Sequence, residues 1–147
     1  MSDDLYNDAI VKAARAGARG ERLPEPRVSV TRDNPLCGDR VTVDVRVDGD
    51  RVVAVGQKTR GCMLTQAAAS LVEAHAAGAT AGELRHLGDE VKALLAGRPA
   101  TLSWPELEMF RPVSGVKSRH ECVLLPFEAL RAALDEGAHG SGKEQGT

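Results

Sequence analysis

A chain of 147 residues fits one domain built around a single core. Its formal net charge of −2 leaves no electrostatic footprint for nucleic acid, and aromatics at 3% give few platforms for stacking bases. No apolar run approaches the roughly 20 residues of a membrane span, and the acidic start at Asp3 and Asp4 has no basic apolar leader. Three cysteines, an odd and small number, argue against a disulfide framework and predict a reducing cytoplasm.

The spacing of Leu5, Ala9, Val11, Ala13 and Ala16 predicts a helix over 4–19, weakened at its end by Gly17 and Gly20. Leu23-Pro24-Glu25-Pro26 is a stiff, extended connector. Val28 and Val30 open a short strand that ends before Asp33. Val41, Val43, Val45 and Val47 alternate with polar residues, the period of a strand with one buried face. Asp48-Gly49-Asp50 is turn chemistry. Arg51 to Thr59 returns as the partner strand, with Val53 and Val55 on one face.

An Ala- and Leu-rich helix follows over 64–77. Cys62 stands near its N-terminus, where the partial positive charge favours a thiolate. Thr80-Ala81-Gly82-Glu83 is a capping box. It starts a helix that carries Leu84, Leu87, Val91, Leu94 and Leu95, with a break at Gly88, and that ends at Gly97-Arg98-Pro99. Trp104 to Phe110 predicts one or two helical turns, and 112–117 a loop. The last helix covers 120–135, its regular part beginning at Pro126, because proline is tolerated in a first turn. The polar, Gly-rich residues 137–147 are expected to form a flexible tail after a domain over 1–136. Strands grouped between helices predict an α+β fold, a small antiparallel three-stranded sheet with helices packed on one face.

The chemistry concentrates in Asn34-Pro35-Leu36-Cys37-Gly38-Asp39, in Gly61-Cys62 and in Arg119-His120-Glu121-Cys122. The predicted hairpin ties the Cys37 loop to Cys62, because antiparallel strands of similar length bring their outer ends together. Gly38 permits a backbone tight enough for Cys37 and Asp39 to face one centre. Three thiols and a carboxylate form a four-ligand set of the kind that takes zinc or an iron–sulfur cluster. Taken singly, each cysteine is equally well a small buried residue, so the residues alone leave the metal site and its absence equally open. A cysteine hydrolase built from Cys122, His120 and Asp39 would leave Cys37 and Cys62 idle. A structural zinc module would ordinarily show close C-x2-C pairs, which are lacking. His75, His86 and His139 are dispersed and take no role.

The succession NP-x-CGD, hairpin, GC and R-x-x-C resembles the IscU/SufU/NifU N-terminal family of iron–sulfur cluster assembly proteins, over residues 5 to 134. Arg119 three residues before Cys122, the long interval from Cys62 to Cys122 and the NP-x-CGD text resemble the SufU branch. Glu121 stands where the IscU branch has its histidine, His120 is one place further back, and Arg111 to Lys117 does not reproduce the LPPVK motif. The resemblance implies that Cys37, Asp39, Cys62 and Cys122 bind zinc. It also implies that Cys37, in its loop, accepts sulfur from a SufS-like cysteine desulfurase and passes it to downstream scaffold or acceptor proteins. On this view the chain is a carrier, or a zinc-dependent sulfurtransferase if counted as an enzyme. The other branches imply instead a scaffold that holds iron in a transient iron–sulfur cluster. Arg60, Arg119 and His120 are auxiliary candidates beside the thiols; Arg60 and Arg119 are equally well plain surface charges, and His120 reads first as a solvated or capping side chain.

Overall fold

The computed structural model describes residues 7–25, 27–36 and 38–146, with side chains placed as far as residue 137. Helix α1 (Asp8–Ala18) starts where the Asn7 side chain accepts from the Ile10 N–H. Three strands follow, β1 (Val28–Asn34), β2 (Asp39–Asp48) and β3 (Arg51–Arg60), in the sheet order β1-β2-β3, all antiparallel. Helices α2 (Met63–His75) and α3 (Ala81–Leu95) come next, then a 3₁₀ segment (Pro105–Gly115), a short 3₁₀ turn (Lys117–Arg119) and α4 (His120–Gly146). The fold is α+β, as the grouping of strands predicts. Among the described residues no helix is long and apolar enough to cross a membrane.

Val41, Val43 and Val45 are fully buried where β2 lies against α4, with α2 packed on β3 and on α4, and Val30 and Leu64 belong to the same core. Helix α2 is lined with Ala67, Ala68 and Leu71, and α1 lies close against it. The approach requires Gly17, since a Cβ there would sit 2.0 Å from the Gln66 carbonyl oxygen.

Four local expectations are corrected. Val52 is buried and Val53 is 49% exposed, because a bulge after Arg46 pairs Val47 with Val52 and reverses which side chains face the core. Helix α3 runs through Gly88 without a break, held at its start by the expected reciprocal cap between Thr80 and Glu83. Helix α4 begins at His120 and keeps Pro126 inside it. Val123, Leu125, Phe127 and Ala129 are buried around that proline, so packing outweighs the missing amide. The helix also runs past residue 135. Gly137 is buried, and a Cβ there would lie 3.5 Å from Val47, so the sheet still supports the helix at that point.

The segment between α3 and α4 is fixed by polar contacts. Buried Glu90 accepts from the Ser103 N–H at 2.7 Å and from its hydroxyl at 2.6 Å. Trp104 then rests between His75 and Phe127, with ring centroids 5.3 and 6.2 Å away.

The connector before β1 is held to the open sheet face by Asp44, which is buried although its place in the alternation marks it as an outward residue. Burial works to raise the Asp44 pKa. Hydrogen bonds from Arg22 (2.6 Å), Ser29 and the Leu23 N–H (3.0 Å), with the Arg22 charge, outweigh it and hold the carboxyl below its ordinary value. A folded-state pKa below the unfolded one stabilises the fold above the unfolded value near 4, and the contribution disappears as pH falls through the folded value. Asp44→Asn is expected to cost about 1–3 kcal/mol at neutral pH. It should also flatten the decline in melting temperature between roughly pH 5 and 2. Thermal melts of both proteins across that range check it, and parallel curves would count against it.

Candidate metal centre

The loop between β1 and β2 is closed by the Gly38 N–H, which donates to the Asn34 carbonyl at 2.8 Å, with Gly38 at φ 73. That left-handed backbone is the conformation for which glycine is suited. Asp39 opens β2 opposite Asn34, on the same face as Val41, and is 2% exposed. Arg40 pairs with Arg60 at the end of the hairpin, so the chain leaving β3 passes directly over Asp39.

Asp39 is gripped from that side. The Cys62 N–H donates to Oδ1 at 3.0 Å, and the Thr65 hydroxyl donates to Oδ2 at 2.8 Å. Gly61 makes the approach feasible, because a Cβ there would fall 2.5 Å from Oδ1. Cys62 is the N-cap of α2, yet its side chain makes no capping bond. The Cys62 sulfur lies 4.0 Å from Asp39 Oδ2 and 3.4 Å from the Thr65 hydroxyl.

Cys122 arrives from the first turn of α4 and is fully buried. One ligand atom each from Asp39, Cys62 and Cys122 lies within 4.8 Å of the others. Thiolate ligands about 2.3 Å from a tetrahedral ion stand roughly 3.8 Å apart. The three atoms therefore need to close by about an ångström or less to share one ion. Two thiols and a carboxylate suit zinc or iron. Cys37, expected as the fourth member, lies outside the described residues.

The auxiliary candidates fall differently. His120 Nε2 is 3.1 Å from the carbonyl oxygens of both Val113 and Ser114, so that nitrogen serves the end of the 3₁₀ segment. Arg119 is half-buried in the turn just before α4. Arg60 is exposed and, with Arg40, lines an open cleft of about 400 Å³ that also touches Gly38 and Asp39. His75 and His86 face Glu106 and Glu90, at 3.2 and 3.4 Å. Thr65 was not among the sequence candidates. Its signal is its place three residues after Cys62 on a helix, which puts both on one face.

The family profile of the NifU-like N-terminal domain matches residues 8–103, well over half of the chain. The chain belongs to this family. Its members include IscU and SufU proteins of iron–sulfur cluster assembly. The crystal structure of a nitrogen-fixing NifU-like protein (N-terminal) from Brucella abortus superposes with a TM-score of 0.85 at 32% identity, over 92% of this chain and 97% of that one. The iron–sulfur cluster assembly scaffold protein IscU of Streptococcus pyogenes is 26% identical over 113 residues, 76% of this chain and 71% of that protein. The zinc-dependent sulfurtransferase SufU of Bacillus subtilis is 24% identical over 141 residues, 93% of this chain and 95% of that protein. Identities this similar do not divide the two branches.

Proposed function

We propose that this chain is a zinc-binding sulfur acceptor that works with a cysteine desulfurase in iron–sulfur cluster assembly. The observation that carries the reading is Asp39, buried beside two thiols and oriented by the Cys62 amide and the Thr65 hydroxyl. A carboxylate held by its own protein donors keeps its position while a neighbouring thiol reacts. Zinc, when bound, favours the deprotonated form of its cysteine ligands.

Cys37, Asp39, Cys62 and Cys122 are the ligand set, and Cys37 is the acceptor. Its thiolate attacks the outer sulfur of the desulfurase persulfide. A new S–S bond forms on Cys37, the old S–S bond breaks, and the desulfurase cysteine leaves as a thiolate. The exchange is redox-neutral and needs no further reactant. The persulfide then passes to a downstream scaffold or acceptor protein. Arg60, exposed at the cleft, supplies positive charge for the incoming anionic sulfur.

A second reading rests on the same donor set, since two thiols and a carboxylate also suit iron and the Streptococcus relative is named a scaffold. Metal content and absorbance of freshly purified protein separate the two. The acceptor reading predicts a colourless protein with about one zinc per chain. A brown protein with iron and acid-labile sulfide would favour the scaffold.

A further inference from the structure

We infer that the open face of the sheet docks an extended acidic segment of the protein that delivers sulfur to this site, laid along Lys58 and Arg60. The inference rests on the reading of the site as a sulfur acceptor. The register places Arg40 opposite Arg60 and Thr42 opposite Lys58, on the face away from α2 and α4. A groove of about 540 Å³ runs there, lined by Arg22, Arg40, Lys58 and Arg60 and by no carboxylate. Asp44 neutralises Arg22 and Asp33 neutralises Arg40, each at 2.6 Å. Lys58 and Arg60 have no ion pair among the described residues. Like charges facing one another across a ladder repel, so this surface gains from an anion the chain itself does not supply.

Its position gives the groove a direction. It reaches Gly61, next to Cys62, and shares Arg40 and Arg60 with the cleft over Asp39. Alternate residues of a strand repeat at about 6.8 Å, and an extended peptide repeats its own alternate side chains at nearly the same distance. Carboxylates at every second position would thus meet Lys58 and Arg60 in step. Nucleic acid fits poorly, because no aromatic side chain lines the groove and the chain as a whole carries a charge of −2.

The test uses a fluorescein-labelled octaglutamate peptide and the full chain, with binding followed by anisotropy at low salt. Lys58→Glu should weaken binding about fivefold, and Lys58→Glu with Arg60→Glu about twentyfold or more. The control Lys12→Glu, the same charge change on α1, should alter it less than about twofold. Absence of peptide binding by the parent, equal loss in the control, or tighter binding of an oligothymidylate would each overturn the inference. With a cysteine desulfurase and cysteine, Lys58→Glu should need about fivefold more protein for half-maximal stimulation, with the maximum unchanged. A lowered maximum at an unchanged half-point would contradict docking on this face. Absence of persulfide on the parent would instead contradict the acceptor reading, and the peptide result would stand apart from it. Melting temperatures of the variants within about 3 °C of the parent show that they fold.

Discussion

Cys62→Ser is expected to lose most of its zinc, with affinity at least about 10–100-fold below that of the parent. The effect is large because Cys62 serves the site twice. Its thiol is a ligand candidate, and its N–H holds Asp39 Oδ1. Serine keeps the amide, so the substitution isolates the sulfur. A serine hydroxyl stays protonated at neutral pH and is a poor replacement for a thiolate. Asp39→Ala should lower zinc retention as strongly, and it also removes the acceptor for the Thr65 hydroxyl, which is fully buried. Elemental analysis after dialysis checks both. Full zinc in both variants would refute the ligand assignment.

Removal of the metal by a chelator is expected to lower the melting temperature by about 10–20 °C, while the helical circular dichroism persists at room temperature. The fall follows from mass action, since a ligand present at a thousand times its Kd stabilises a fold by about 4 kcal/mol. A chain of this size changes its melting temperature by roughly 3–5 °C per kcal/mol. The helices should survive because the core does not depend on the ion. Val41, Val43 and Val45 share one buried cluster with Leu64, Ala68, Leu130 and Phe127, and among the described ligand candidates only Asp39 and Cys122 are themselves buried. A zinc finger collapses without its metal because it lacks such a core. Collapse of the helical signal on chelation would place this chain with structural zinc modules.

The parts of the fold legible in the sequence are those written in local periodicity. The valines of β2 alternate, and the register then brings Asp39 to within bonding distance of the residue after Gly61. The capping box of α3 is local chemistry and is found where it is expected. The bulge opposite Arg46 and Val47 leaves no such mark, because its extra residue, Val53 on β3, is not of a type that bulges require, so the exposure of Val53 was not readable. Pro126 misleads for a related reason. Its local preference is a helix start, and only buried neighbours from other elements make the interior position tolerable.

At the site, the closeness of the Asp39 loop to Cys62 was legible because the hairpin ties them together, whereas Cys122 comes from a distant segment and was joined to them only through the family resemblance. The capping role of His120 was legible, but the carbonyls it serves were not, since they depend on where the 3₁₀ segment ends. Thr65 and the steric role of Gly61 emerge only from the closeness of the β3–α2 junction to Asp39. The packing of Trp104 between His75 and Phe127 joins three elements and has no local signature.

The most direct measurement maps persulfides by alkylation and mass spectrometry after incubation with a cysteine desulfurase and cysteine. It is applied to the parent and to each cysteine-to-serine variant. The account predicts a persulfide on Cys37 of the parent and no stimulation of desulfurase turnover by Cys37→Ser. A persulfide on Cys122, with Cys37→Ser still stimulating turnover, would contradict it.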